Sequence, residues 1–367
     1  MIVAGELSGD IHAGNMLREL HRLMPSISAF GVGGERLADS GLECLATTDE
    51  LAHMGLVEVF RELPRIRRLM GHLADEAVRR RPAVAVLVDS PDFNLRLARK
   101  LDAAGIPVVL YVSPQLWAWR RGRVRTVRKL AQEVLCILPF EVDFYRQHRV
   151  RARYVGHPLV DEINRVGLLD RTEERHDRQL ALLPGSRAME VRQLLPAMLR
   201  SLAVLPQDAV HRAVLIEAPG MERSISEVLD ASDVDPRLRR VVGEQRRRAL
   251  AKSALAWTAS GTATLECALL DVPMIVGYRL KAISFALARL LVRVPHVALA
   301  NLIAGERMAP ELLQGQWNPT ELARVTMAEL AGGGGRQRPA LAMIRERLGA
   351  PGASRAAAFA VAEYFPG

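Results

Sequence analysis

The stretch Ala181-Leu182-Leu183-Pro184-Gly185-Ser186-Arg187-Ala188-Met189-Glu190-Val191 decides how the rest of the chain is read. An apolar run stops at Pro184-Gly185, presents Ser186 and Arg187, and passes into helical apolar spacing at Val191, Leu194, Leu195, Met198 and Leu199. That predicts a strand, a tight turn and a helix N-terminus. The first-turn N–H groups have no partners within the helix, and the helix dipole there favours negative charge. Ser186 suits an N-cap or a phosphate contact, and Arg187 supplies a forked donor for phosphate or carboxylate. Taken alone, the segment reads as an ordinary strand-to-helix turn with a solvated arginine. Its meaning depends on what surrounds it.

Outward from that turn, the same pattern recurs along the chain. Ile2–Ala4 leads into Gly5-Glu6-Leu7-Ser8-Gly9-Asp10 and a helix stopped near Pro25. Phe30–Gly34 is a second glycine-rich strand end, without the spacing of a dinucleotide fingerprint. Val84–Val88 leads to Asp89–Asn94, Pro107–Val112 to Ser113–Arg120, Val134–Leu138 to Pro139-Phe140-Glu141, and Arg153–Val155 to Gly156-His157-Pro158. After the polar stretch Asp170–Arg178 the alternation restarts, with strands expected at Leu180–Leu183, Ala213–Glu217, Val241–Val242, Leu255–Thr258 and Met274–Val276. Gly332–Gly335 reads as a flexible break, and one or two helices follow from Pro339. Strands separated by helices mean βαβ units and parallel sheets. Two doubly wound α/β domains with a cleft between them are expected: residues 1–160, residues 161–338, and C-terminal helices over 339–367 packing back across the domains.

Bulk properties agree with this size. A chain of 367 residues can bury two cores, and 49% hydrophobic with 25% charged residues belongs to a soluble globular protein. Cys44, Cys136 and Cys267 stand far apart and in no metal or redox spacing, which points to a reducing compartment. The first residues show no signal-peptide pattern, and Ala254–Leu270, the longest apolar candidate, carries Gly261, hydroxyls and Glu266 and does not suit a membrane span. Charge is uneven: residues 61–129 hold sixteen Lys/Arg against six Asp/Glu, while the whole chain carries only +9. Such a region calls for an anionic partner or is a solvated basic face. Within it, Met54–Leu73 places apolar residues among Arg61, Arg65, Arg67 and Arg68, so it suits either an interfacial helix or one packed on its own domain with snorkelling arginines.

Chemistry concentrates at strand ends. The first half offers Glu6, Asp10, Asp89 and Asp92, where a shielded carboxylate can act as a general base. For each, N-capping or an ion pair is the plainer role. The second half offers Ser186, Arg187, Ser260, Gly261, Thr262 and Glu266, a set suited to a diphosphate and a ribose diol. No Walker A motif, zinc spacing or nucleophile elbow is present. Asp233-Val234-Asp235 has the spacing of a metal-binding pair but reads as a surface loop before Pro236. Trp117 and Trp119 lie near basic residues, yet no nucleic-acid motif accompanies them.

The ordered motifs resemble the lipid-A-disaccharide synthase family across nearly the whole chain. They are Ala4–Asp10, Gly31–Leu37, Met54–Val59, Asp89–Asn94, Tyr111–Arg120, Leu138–Phe140 and Gly156–Leu159, then Leu182–Arg187, Ser260–Glu266, Pro273–Arg279, Asn301–Gly305 and Pro310–Gln314. Two departures stand out: this chain begins inside its first strand, where members of that family carry several more residues, and Ala300 replaces a frequent proline.

The resemblance implies a GT-B fold and an inverting, metal-independent transfer with no cofactor. The donor would be UDP-2,3-diacylglucosamine, the acceptor 2,3-diacylglucosamine 1-phosphate, and the products a β-1,6-linked disaccharide 1-phosphate and UDP. It assigns Asp89 as base, with Glu6 and Asp10 as further catalytic candidates and Ser8 on the acceptor-side loop. It assigns Ser186 and Arg187 to the diphosphate and Glu266, after the Ser260–Thr264 loop, to the ribose hydroxyls; Tyr278 and Asn301 complete the nucleotide side. Acylated substrates also favour docking on anionic phospholipid at the cytoplasmic face of the inner membrane, through Phe60, Leu63, Ile66, Arg67, Arg68, Leu69 and Met70. No nucleic-acid partner is expected, and a homodimer is left open. The competing readings are a UDP-N-acetylglucosamine 2-epimerase or other GT-B enzyme of soluble sugars, and a basic membrane- or nucleic-acid-binding scaffold. A lipid acyltransferase is disfavoured because His157 and Asp161 are one residue short of the usual spacing.

Overall fold

The computed structural model describes residues 1–52, 59–119, 121–169, 176–280 and 294–365, with the side chains of 49, 52, 59–63, 121 and 177 outside the description. It divides into two units, Met1–Asp161 with Ala350–Gly367, and Glu162–Gly349.

The first unit is a parallel sheet of seven strands: β1 (Ile2–Ala4), β2 (Ala29–Gly33), β3 (Leu42–Thr47), β4 (Ala85–Val88), β5 (Val108–Tyr111), β6 (Glu133–Cys136) and β7 (Ala152–Tyr154), in spatial order β3-β2-β1-β4-β5-β6-β7. Its central strands β1, β4 and β5 read as continuous apolar runs because both faces are covered. Along β4, Ala85 and Leu87 enter a core with the helices Val59–Arg80, Pro91–Ala103 and Val124–Leu130, while Val86 and Val88 enter a second core with the helices Leu7–Leu23 and Ala353–Ala362. That last helix is held by Asp161, whose carboxylate accepts the amides of Gly352, Ala353 and Ser354 at 2.5, 3.2 and 3.0 Å. Three otherwise unpaired first-turn donors are thereby satisfied.

The second unit is a parallel sheet of six strands: β8 (His176–Leu183), β9 (Arg212–Ile216), β10 (Leu238–Val241), β11 (Ser253–Ala259), β12 (Met274–Tyr278) and β13 (Glu311–Leu313), in order β10-β9-β8-β11-β12-β13. Leu180, Leu182, Leu215, Trp257 and Ile275 face a core shared with the helices Ala188–Val204, Glu222–Asp230 and Pro319–Ala331. Strand order reverses between β1 and β4 and between β8 and β11. Helices leaving the two strands at such a point pass to opposite faces, which opens a crevice at the strands' carboxyl ends.

Several expectations change. β3 and the three-residue β13 carry no sequence pattern that marks them, and β8 takes in His176–Arg178 from the polar stretch expected to precede it; 170–175 lie outside the described residues. Gly332–Gly335 is an ordered turn: Gly334 donates to the Glu329 carbonyl at 3.2 Å, and a Cβ at Gly334 would meet Pro273 at 2.3 Å. Helix Arg338–Leu348 belongs to the second unit and Ala353–Ala362 to the first, where the sequence reading grouped both in 339–367.

The interfacial-helix reading also needs correction. Ile66 and Met70 are core residues of the first unit, and Leu69 packs half-buried against that core. Burying such side chains is worth roughly 1.5–3 kcal/mol each, so this face is already committed within the domain. Arg67 and Arg68 are exposed. Met54–Glu58 lie outside the described residues, as do the side chains of Val59, Phe60 and Leu63.

Candidate active site

In the first unit the chain leaves β1 through Gly5 and Glu6 into the helix Leu7–Leu23. Glu6 and Ser8 are exposed. Asp10 is buried, and its carboxylate accepts the amides of Gly34, Arg36 and Leu37 at 2.7, 3.1 and 3.1 Å. It anchors the start of the helix Glu35–Asp39, which takes up three of the roughly four lone-pair sites of its carboxylate.

Asp89 is different. It follows β4, and its amide still donates to the Tyr111 carbonyl at 3.2 Å. Oδ1 accepts the Gly5 amide at 3.2 Å, while Oδ2 is buried without a hydrogen-bond partner. Burial pushes the carboxyl up to about 8; the Glu6 charge adds to this and the amides of Gly5 and Gly9 oppose it. Gly9 is required at that spot, since a Cβ there would lie 2.0 Å from Asp89 Oδ2. Asp92, the other carboxylate on this loop, pairs with Arg123 at 2.6 Å. Of the two carboxylates on this loop, Asp89 combines a shielded carboxyl with a raised affinity for a proton, the property a general base needs.

The neighbouring loop after β5 is fixed by Glu141, which accepts the Trp117 indole N–H at 3.0 Å and the Leu138 amide at 3.2 Å. Trp117 is buried and is no stacking platform. His157 is also buried: its Nδ1 accepts the Leu159 amide at 3.1 Å, and desolvation pushes its pKa down to about 3.

In the second unit β8 ends at Leu183, and the helix Ala188–Val204 begins after Arg187, which stands at the N-cap in place of Ser186. Gly185 has φ 120°, a region that favours glycine. The Ser186 amide donates to Glu190 Oε2 at 3.1 Å, and Arg187 Nη1 donates to Glu190 Oε1 at 3.3 Å. A carboxylate thus sits on the donors expected to bind phosphate. The Arg187 side chain is 76% exposed, and exposed pairs of this kind are worth about 0–1 kcal/mol. A charge-assisted bond to phosphate contributes about 1.5–3 kcal/mol, more than this exposed pair, so a phosphate can compete with Glu190 for Arg187. Tyr278, at the end of β12, feels both groups: burial and the Glu190 charge push its phenol up, and Arg187 opposes them.

At the end of β11, Gly261 (φ 132°) opens onto free space ahead of the helix Thr262–Leu269, with Thr262 exposed. Ser260 Oγ donates to the Val297 carbonyl at 2.8 Å. Thr264 is buried, donates to the Gly261 carbonyl at 2.7 Å and accepts the Ala300 amide at 3.2 Å, so its side chain shapes this loop from within. Glu266 Oε1 accepts from Arg247 at 2.8 Å, and Arg247 also bonds Glu162.

Asn301 is fully buried, and its amide is saturated by the Ala309 carbonyl (3.0 Å), Glu311 Oε1 (2.9 Å) and the Ala309 amide (3.0 Å). Glu311 accepts the Val297 and Ala298 amides as well. In this arrangement the Asn301 side chain pins the loop that packs on Ser260 and Thr264. Asp235, from the pair read as a surface loop, is bound by Arg237 at 2.7 Å.

Sequence reading overlooked Gly9, Asn94, Glu190, Arg247 and Glu311. Glu190 and Glu311 lie inside motifs already singled out, and their spacing after Arg187 and Pro310 is the available signal. Arg247 stands in a basic run without any local mark.

A family model described as lipid-A-disaccharide synthetase matches residues 1–357. The chain belongs to the lipid-A-disaccharide synthase family. A member from Myxococcus xanthus is 43% identical over 375 residues, covering 100% of this chain and 97% of that relative. One from Anaeromyxobacter dehalogenans is 44% identical, covering 96% and 94%. Among solved structures, the kitacinnamycin glycosyltransferase has a TM-score of 0.67 at 15% identity, covering 100% of this chain and 98% of that one. A UDP-GlcNAc 2-epimerase from Neisseria meningitidis has a TM-score of 0.65 at 11% identity, covering 99% of each. At these identities the fold is shared and the family match separates transferase from epimerase. The chain is a GT-B glycosyltransferase of lipid A disaccharide synthesis.

Asn301→Ala removes partners from Ala309 and Glu311, each costly to leave unpaired in the interior. It is expected to cost about 2–4 kcal/mol in denaturant unfolding. Wild-type stability together with lost UDP binding would point instead to the expected nucleotide contact.

Proposed function

We propose that this chain transfers a 2,3-diacylglucosaminyl group from UDP to the 6-hydroxyl of 2,3-diacylglucosamine 1-phosphate. The acceptor oxygen attacks the anomeric carbon and its proton passes to Asp89. The bond to the diphosphate breaks with its electron pair leaving on UDP, and the configuration inverts. Arg187 and the helix N-termini at Ala188 and Thr262 stabilise the departing charge. The Asp89 carboxyl, buried between Gly5 and Gly9 at a strand-order reversal, is the observation that carries this reading. Among the described residues no group of three or more His, Cys, Asp or Glu is placed to hold a metal ion.

Asp89→Asn should abolish product formation, followed by mass spectrometry of the lipids, while UDP affinity in titration stays near wild type. Arg187→Ala should weaken UDP binding and slow turnover together. Near-normal kcat in the first variant, or unchanged UDP affinity in the second, defeats the respective assignment.

The raised Asp89 pKa also sets a pH dependence. The base form accumulates as pH rises through about 8, so kcat/KM should climb roughly tenfold per pH unit below that value and level off above it. Glu6→Gln removes a charge that raises the pKa, and the limb should move to lower pH. A limb that stays in place shows that another group titrates.

Both substrates carry acyl chains, which places the reaction at a bilayer, and no helix among the described residues is long and apolar enough to cross one. Association through cationic side chains, with Arg67 and Arg68 exposed beside the buried Ile66, fits a peripheral mode at the cytoplasmic face. Arg67→Glu with Arg68→Glu should reduce flotation with anionic vesicles at low salt. Undiminished flotation moves the docking surface elsewhere.

A further inference from the structure

The backbone that carries Asp89 adopts an uncommon conformation. Asp89 and Ser90 both have positive φ, 47° and 40°, and Val112, at the end of the adjoining strand, has φ 59°. β-branched residues rarely enter this region, and each such residue costs on the order of 1–3 kcal/mol. Pro91 follows directly; it disfavours right-handed helical geometry at Ser90 and has no N–H to offer. Two successive left-handed residues swing the chain out of β4, so the carbonyls of Val88 and Asp89 need donors from elsewhere.

One side chain supplies both. Asn94 Nδ2 donates to the Val88 carbonyl at 3.0 Å and to the Asp89 carbonyl at 2.8 Å, while the Ser90 carbonyl accepts the first-turn amides of Phe93 at 3.2 Å and Asn94 at 3.0 Å. The side chain is 1% exposed, and its Oδ1 has no hydrogen-bond partner. Asparagine is suited to this position because its amide carries two protons on one nitrogen at short reach. Aspartate has the same shape and neither donor.

We propose that Asn94 is the positioning residue of the proposed base, holding the left-handed Asp89–Ser90 turn so that the Asp89 carboxyl stays lodged between Gly5 and Gly9. The proposal rests on the reading of Asp89 as base. Without the clamp the two residues relax toward ordinary backbone geometry, and the carboxyl turns out of its enclosure into water. Glu6 is the charged group that acts on Asp89 there, and Asp92, from the same helix as Asn94, is held by Arg123.

The test measures kcat, both KM values and the pH profile of the full-length Asn94→Asp and Asn94→Ser variants with the acylated sugar substrates. Asn94→Asp should lower kcat ten- to a hundredfold with each KM within twofold, and in Asn94→Ser, which adds no carboxylate beside Asp89, the ascending limb of kcat/KM should move to lower pH. Asn94→Ser, which keeps one side-chain proton, should fall between that variant and wild type in kcat. If Asn94→Asp fails to fold, shown by a lost unfolding transition, the serine variant carries the same readout. A kcat within twofold of wild type, or an equal loss at every pH in Asn94→Ser with the limb unmoved, overturns the proposal. Turnover retained in Asp89→Asn instead removes the base reading itself, so the two failures are distinguishable.

Discussion

In each sheet the order of strands reverses once, and the helices that follow the two central strands leave toward opposite faces. At that point the carboxyl ends of β1 and β4, or of β8 and β11, face a gap that neither helix fills. Ladder pairing stops there, so backbone donors and acceptors need new partners. Both candidate constellations arise from this constraint. Gly5–Gly9 and Asp89 stand at one reversal, and Gly185–Arg187 and Gly261–Thr262 stand at the other. Glycine is required at Gly9 because a carboxylate occupies the space a side chain would need, and at Gly185 because the turn has a positive φ.

Within these gaps, the number of donors a side chain has already met decides its role. Asp10 and Asp89 are carboxylates in the same unit, both shielded from water. Asp10 receives three amides and acts as a helix cap; Asp89 receives one and keeps a buried oxygen with nothing to bind. The same distinction separates Asn301 from Arg187. Asn301 is saturated by Ala309 and Glu311, whereas Arg187 holds a single exposed, weak pair. A satisfied group has little to offer a ligand, and an exchangeable one does.

The helix Val59–Arg80 shows how one periodic pattern serves two environments. Its apolar spacing is real, and so is its basic face. The apolar side is taken by the first unit's own core through Ile66, Met70 and Leu73, which leaves the arginines outward. An amphipathic sequence specifies a boundary between oil and water, and does not specify whether the oil is a protein core or a lipid layer.

The alternation of apolar runs with helical spacing was enough to place most of the strands, both parallel sheets and the glycine-rich strand ends, because those features depend on local periodicity and turn chemistry. Asp89, Gly185 and Arg187 were legible for the same reason: each stands immediately after an apolar run. Two edge strands, β3 and β13, were not, because no apolar run marks them and the neighbour each pairs with defines it. Nor could residue order reveal that Asp10 meets amides 24 to 27 positions away, that Asp161 caps a helix some 191 residues later, or that the Asn94 side chain folds back on two carbonyls. The sequence by itself determined the fold class and which residue types reach the strand ends. Only the tertiary structure decided which of them remain available for chemistry, because hydrogen-bond saturation and desolvation depend on partners that the fold brings in from distant segments.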